Sequence, residues 1–246
     1  YEGEHAFILQ NTDRRVVFMI PYEERFTLVG TTDVPQEEAV GAQASDAEVA
    51  YLCAAASRYL ARPLQPASVV WRYAGVRPLY DDGTSDPSAV TRDYTLEVED
   101  ERGEAPVLSV FGGKLTTYRR LAEQSLAKLA AYFPGMGPPW TGTARFPGSA
   151  FDDREAARRE IEERYRSLPA ELVRAVFRRH GVQAAEVLGD GDIGEYFGAG
   201  LCEREVQYFR TREWARDADD VLWRRTKTGL QLDARQQARV AEAMAR

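Results

Sequence analysis

Leu108-Ser109-Val110-Phe111-Gly112-Gly113-Lys114-Leu115-Thr116-Thr117-Tyr118-Arg119 runs from an apolar, strand-like segment through a glycine pair into a helical pattern that continues through Leu121, Leu126 and Leu129. The spacing predicts a strand over Val107–Phe111, joined to another over Tyr94–Val98 by an acidic turn through Asp100 and Gly103. A strand that enters a helix through two glycines brings unpaired amides and the positive end of the helix dipole to one place. A phosphate, a carboxylate or a ring carbonyl would suit such a place.

Toward the amino terminus, Ala6–Gln10 and Val16–Ile20 flank Asn11-Thr12-Asp13-Arg14-Arg15 and predict a β-hairpin, with a third strand over Phe26–Thr31. Ser45 with Glu48 three residues on forms a capping-box pattern, which predicts a helix to about Ala61, before Pro63. A strand is expected over Val69–Val76. Together these read as an α+β domain with mostly antiparallel pairing.

Toward the carboxyl terminus the composition changes. Residues 1–140 carry 13 basic and 20 acidic side chains, residues 141–246 carry 19 of each, and the stretch PGMGPPWTGTARFP, Pro134–Pro147, lies at the change. Proline lacks the amide donor that regular structure uses, so a junction is expected here, with domains over 1–140 and 141–246. The second reads as all-α, with helices over Asp152–Arg166, Pro169–His180, Glu203–Trp214, Ala218–Arg225 and Ala234–Ala245. Ser167, Asp217 and Asp233 are its expected N-caps.

At 246 residues, 44% hydrophobic and 29% charged, with mean hydropathy −0.46, the chain reads as an ordinary globular protein. Its apolar runs, such as Val16–Pro21, fall far short of the roughly 20 residues of a bilayer span, so no transmembrane anchor is expected. Cys53 and Cys202 lie far apart without CxxC spacing, which predicts neither a disulfide framework nor a zinc knuckle and favours a reducing compartment. The chain opens on Tyr1 without a signal-peptide pattern, as a piece of a longer protein would.

The familiar catalytic patterns are missing. His5 and His180 are the only histidines and read as surface or helix-end residues, so no metal site and no Ser-His-Asp triad is expected. There is no GxSxG elbow, and no dinucleotide fingerprint of the Rossmann kind is expected in the chain. Gly112-Gly113-Lys114 resembles the end of a phosphate-binding Walker loop, but Leu108 stands where its first glycine belongs and Leu115 replaces the magnesium-holding hydroxyl. Trp223-Arg224-Arg225-Thr226-Lys227 is basic beside an aromatic, yet Asp219 and Asp220 precede it in a charge-balanced region, which argues for a solvated, salt-bridged face and against nucleic acid.

Cations at element ends remain. Arg77 ends one expected strand, Arg92 opens another and Lys114 opens a helix. Guanidinium groups bind oxyanions bidentately, so the three predict a small anionic ligand such as a phosphate ester or carboxylate. Each could instead pair with a local carboxylate such as Asp81, Asp82 or Asp93. Spacing leaves both readings open, and with them a non-catalytic anion-binding or protein-interaction module.

Gly30-Thr31-Thr32-Asp33, Trp71 to Leu79 (WRYAGVRPL), Thr91-Arg92-Asp93-Tyr94, Leu108–Arg119 and Leu222-Trp223-Arg224-Arg225-Thr226-Lys227 occur in an order that resembles the carboxyl-terminal half of the FAD-dependent glycerol-3-phosphate dehydrogenases. The resemblance implies a flavoenzyme that oxidises sn-glycerol 3-phosphate to dihydroxyacetone phosphate and passes electrons from FAD to a quinone or, in oxidase relatives, to oxygen. It implies that residues 1–140 are part of the substrate and FAD-contacting domain and that residues 141–246 are a helical cap.

Residue by residue, the resemblance places Arg77 beside the reacting carbinol, Arg92 at the substrate phosphate and Lys114 near both substrate and flavin. Gly112, Gly113, Lys114, Leu115 and Thr116 would line the pyrimidine edge of the isoalloxazine. The GxGxxG segment and the active-site histidine of the family lie upstream, and His5 does not match the latter, so the fragment alone is expected to be inactive. The resemblance further implies peripheral association of the whole protein with the cytoplasmic face of the cell membrane, without a spanning helix, and it admits a homodimer.

Overall fold

Alternation along Val16–Tyr22 organises the first sheet: Val17 and Met19 are buried while Phe18 and Ile20 are exposed, as expected of a strand with one covered face. The computed structural model describes residues 3–30, 32–34, 40–77, 93–101 and 104–246. They divide into two units, Tyr1–Thr143 and Ala144–Arg246.

In the first unit, β1 (Phe7–Gln10), β2 (Val16–Tyr22) and β3 (Phe26–Gly30) form an antiparallel sheet in the order β1-β2-β3, with Leu9 opposite Val17 and Met19 opposite Val29. The predicted hairpin turn closes through the amide of Asn11, which donates to the Arg15 carbonyl at 3.0 Å. Leu9, Val17 and Met19 pack on Ala55 and Ala56 of α1 (Asp46–Ser57).

The start of α1 is the predicted capping box: Ser45 Oγ accepts from the Glu48 amide, and Glu48 accepts from the Ser45 amide. The Ser45 amide, with help from the Thr32 hydroxyl at 2.7 Å, holds the Glu48 carboxyl below the usual range. The helix ends earlier than expected. Ser57 Oγ donates to the Cys53 carbonyl and accepts from the Leu64 amide, which turns the chain before Pro63.

The expected strand over Val69–Val76 does not form. A single 3-10 turn, Pro66–Ser68, leads into irregular chain in which Val70 is 73% exposed, and among the described residues no neighbouring strand offers it a ladder. β-branched residues favour a strand only where a pleated surface receives them. Here Trp71 stacks on Tyr73 at 4.7 Å and Arg72 pairs with Asp46.

β4 (Tyr94–Glu99) and β5 (Val107–Gly112) form a second antiparallel pair, with Tyr94 opposite Gly112 and Leu96 opposite Val110. The Asp100 end of the predicted turn is described, whereas Gly103 lies outside the described residues. α2 (Tyr118–Leu129) follows.

The second unit holds α3 (Arg154–Arg164), α4 (Ala170–His180), α5 (Ala184–Leu188), α6 (Glu203–Arg212) and α7 (Ala234–Ala245). Leu172, Val176 and Phe177 pack with Val187 and Leu188 in one core; Phe197, Val206, Phe209, Val221 and Val240 form a second.

The unit is not all-α. β6 (Tyr196–Gly198) and β7 (Leu201–Cys202) form a small antiparallel hairpin. Gly198, Ala199 and Gly200 all adopt positive φ there, a reversal that glycine makes at low steric cost. Strands of three and two residues are too short for a period to register in sequence. The expected α-helix over Ala218–Arg225 is a π-helical turn at Asp220–Arg225, because the Thr226 amide and hydroxyl both donate to the Val221 carbonyl five residues back. Asp233 forms a capping box with Gln236, and Asp217 accepts from the Asp220 amide at 2.8 Å. Ser167 is no cap, since α4 starts behind Pro169 without a side-chain bond.

Candidate functional site

The chemistry of the β5–α2 junction begins with its backbone. Gly112 (φ 74°) and Gly113 (φ 95°) are consecutive positive-φ residues, a conformation that residues with a Cβ adopt only under strain. A Cβ at Gly113 would also lie 3.2 Å from Tyr94 Cβ and 3.4 Å from Leu121 Cδ1. The Tyr94 hydroxyl donates to Gln124 Oε1 at 2.7 Å, tying β4 to α2 behind the glycines.

Lys114 follows in extended conformation and opens a 3-10 turn, Leu115–Thr117, before α2 begins. The Lys114 carbonyl accepts from the Thr117 amide at 3.0 Å and the Thr117 hydroxyl at 2.7 Å. Thr117 therefore caps no α2 amide. Among the described residues, the amides of Leu115 and Thr116 meet no acceptor. Lys114, Leu115 and Thr116 are exposed, Leu115 at 89%. Two open amides, an ammonium and an apolar side chain suit the carbonyl-bearing edge of a flat ring that gains negative charge on reduction, and a group such as an isoalloxazine fits this donor set.

Arg77 is held elsewhere in the first unit. Its Nη1 donates to both oxygens of Asp33, at 3.0 and 3.2 Å, and both side chains are about half exposed. This carboxylate lies 44 positions back in sequence and is none of the three expected as partners. Arg92, Asp81 and Asp82 lie outside the described residues. Among the described residues no hydrogen bond or ion pair joins Arg77 to Lys114.

Sequence reading missed a charged cluster in the second unit. His180, expected at a surface or a helix end, ends α4 but is buried. Its Nε2 lies 2.9 Å from Glu205 Oε1, which also accepts from Arg179 Nε at 2.7 Å, while Arg179 Nη2 donates to Glu205 Oε2 at 2.7 Å. Burial pushes the Glu205 carboxyl up, but the Arg179 guanidinium and the His180 bond hold it below the usual range. Arg179 and His180 are adjacent in sequence and Glu205 is remote, so spacing offered no signal. Among the described residues no group of acidic, histidine and cysteine side chains is placed to hold a metal ion, and no helix is long and apolar enough to cross a membrane.

The chain is similar to known proteins along almost its whole length. A model of the FAD dependent oxidoreductase family matches residues 2–119. The glycerol-3-phosphate dehydrogenase of Pseudomonas aeruginosa is 47% identical over 98% of this chain and 48% of its own length. The aerobic glycerol-3-phosphate dehydrogenase of Escherichia coli is 44% identical over 97% of this chain and 49% of its own. The D-erythritol 1-phosphate dehydrogenase of Brucella abortus is 41% identical over 98% of this chain and 49% of its own. The chain thus spans about half the length of the curated relatives it matches. The structure of the glycerol-3-phosphate dehydrogenase from Bacillus halodurans complexed with FAD shares the fold, with a TM-score of 0.68 at 21% identity, covering 98% of this chain and 52% of that one.

Proposed function

We propose that the chain is part of a flavoenzyme of the FAD-dependent oxidoreductase family, one that oxidises sn-glycerol 3-phosphate to dihydroxyacetone phosphate as the names of its relatives indicate. The observation that carries this is 47% identity to a dehydrogenase of that name along 98% of the chain, the glycine–lysine junction included. FAD, when bound, supplies the acceptor for the hydride from C2.

The residues of the chain divide the remaining work. Arg77 sets a positive charge beside the carbinol oxygen, where negative charge grows as the hydroxyl proton passes to a base and is drawn into the new carbonyl as the hydride leaves C2, and Arg92 takes the phosphate. Lys114 and the open amides of Leu115 and Thr116, presented by the Gly112–Gly113 backbone, face the ring edge and favour negative charge there. The one GxGxxG spacing, Gly189 to Gly194, follows a helix and precedes a short strand, the reverse of the strand-to-helix turn that holds a dinucleotide, so most of the dinucleotide surface is assigned to the rest of the full-length protein and the chain alone is inactive. In the whole protein the electrons pass to a quinone, and the enzyme lies peripherally on the cytoplasmic face of the membrane, where a homodimer is compatible with the reading.

The test uses the full-length protein containing this chain, loaded with FAD. Glycerol 3-phosphate should bleach the flavin absorption without air and support quinone-analogue reduction, whereas glycerol should do neither. Faster turnover with erythritol 1-phosphate would move the substrate to the longer polyol phosphate. No bleaching with either phosphate would overturn the proposal.

A further inference from the structure

The ion pair between Arg77 and Asp33 uses one end of the guanidinium. Both carboxylate oxygens approach Nη1, at 3.0 and 3.2 Å. The side-on edge formed by Nε and Nη2 has no partner among the described residues. That edge carries the two parallel N–H groups with which arginine grips an oxyanion.

An ion pair between half-exposed groups adds little to stability, and the Asp33 side chain makes no other bond among the described residues. We propose that Asp33 is a positioning residue: by occupying Nη1 it fixes the plane of the Arg77 guanidinium and leaves the Nε–Nη2 edge aimed at the substrate oxygen. The inference rests on the role of Arg77 given under Proposed function. It adds a specific orienting partner, contributed from the chain just after β3, to a cation contributed from the irregular segment after Trp71.

A positioning role predicts a pattern that a structural role would not. Without Asp33, the guanidinium keeps its charge and its attraction for an anion but samples several orientations. Substrate binding should hold while the reacting geometry is reached less often. Misplacement on the ångström scale costs turnover by on the order of 10- to 100-fold.

The experiment compares Asp33→Asn, Asp33→Glu, Arg77→Ala and the double variant Asp33→Asn/Arg77→Ala in the FAD-loaded full-length protein. Asp33→Asn should lower kcat for glycerol 3-phosphate by about 10-fold or more, with KM changed by less than about threefold and flavin content intact. Asp33→Glu should recover most of the loss. In the Arg77→Ala background Asp33→Asn should have no further effect, because there is nothing left to orient. Wild-type turnover in Asp33→Asn, or losses that multiply in the double variant, would overturn the positioning role. A wild-type protein inert toward glycerol 3-phosphate would overturn the proposed function instead, so the two failures are distinguishable.

Discussion

Replacing Glu205 by Gln tests the buried charge cluster of the second unit. Glu205 is fully buried, Arg179 is 8% exposed and His180 is 5% exposed. Both carboxylate oxygens are in use, Oε1 shared by Arg179 and His180 and Oε2 bound by Arg179. Glutamine matches the volume but offers one oxygen, so its amide nitrogen must face a donor. The guanidinium would then stay buried without its counter-charge. Removing one partner of a buried pair costs about 3 to 5 kcal/mol, and in a unit of roughly 100 residues each kcal/mol lowers Tm by about 4 °C or more.

The expected outcome in scanning calorimetry is a transition of the second unit roughly 12 to 20 °C lower at neutral pH. Because the folded carboxyl is held below its ordinary value of 4.5, its stabilisation is complete above that value and is lost as the pH falls through the folded pKa. The gap between wild type and Glu205→Gln should therefore narrow on the acid side. Changing Arg179 to Met and Glu205 to Leu together should recover much of the loss, since apolar replacement of a whole pair is often neutral. A shift of under about 4 °C, or one equally large at neutral and strongly acid pH, would refute the reasoning.

Arg77→Ala or Lys114→Ala in the full-length enzyme should each lower kcat/KM for glycerol 3-phosphate by about 10²- to 10³-fold, the loss typical of a removed charge-stabilising donor; unchanged steady-state kinetics would contradict their roles. Arg92→Ala should weaken glycerol 3-phosphate and leave the slow reaction with glycerol nearly unaffected, and equal losses for both would remove it from the phosphate. Gly113→Ala forces a Cβ onto a φ of 95° and against Tyr94, a strain of about 1 to 3 kcal/mol, so the full-length protein should retain less flavin on gel filtration; normal retention would show that the junction tolerates a side chain. Burial pushes the Cys202 thiol up to about 11 and also raises that of Cys53, so a thiol-reactive dye at pH 8 should label both only on unfolding, and rapid labelling of the native chain would contradict this.

Local rules read the sequence well wherever the deciding partner is close in the chain. The Ser45–Glu48 capping box, the Asn11–Arg15 turn and the Asp233 cap all form, because donor and acceptor lie within four residues. The rules failed where the partner is remote or missing. Val69–Val76 has strand-like composition, yet among the described residues no second strand pairs with it. The β6–β7 hairpin and the π-helical turn were illegible for a different reason. The first is set by three positive-φ residues in a segment too short to show alternation, and the second by a threonine whose hydroxyl and amide take the same carbonyl.

The candidate site divides along the same line. The glycine pair could be read because residue type itself carries the conformational requirement: only glycine accepts two successive positive φ angles cheaply, and the open amides follow from the turn those angles begin. The partner of Arg77 could not be read, because any of several aspartates satisfied the chemistry and the one selected is fixed by tertiary placement across 44 positions. Glu205 is the sharper case. An acidic residue in the first turn of a helix reads as a solvated complement to the helix dipole, and that reading is sufficient until the fold buries it against Arg179 and His180. Charge identity is therefore visible in sequence, whereas charge environment is created by burial. A cation chosen from spacing alone becomes a claim about chemistry only once its counter-ion and its free donors are known.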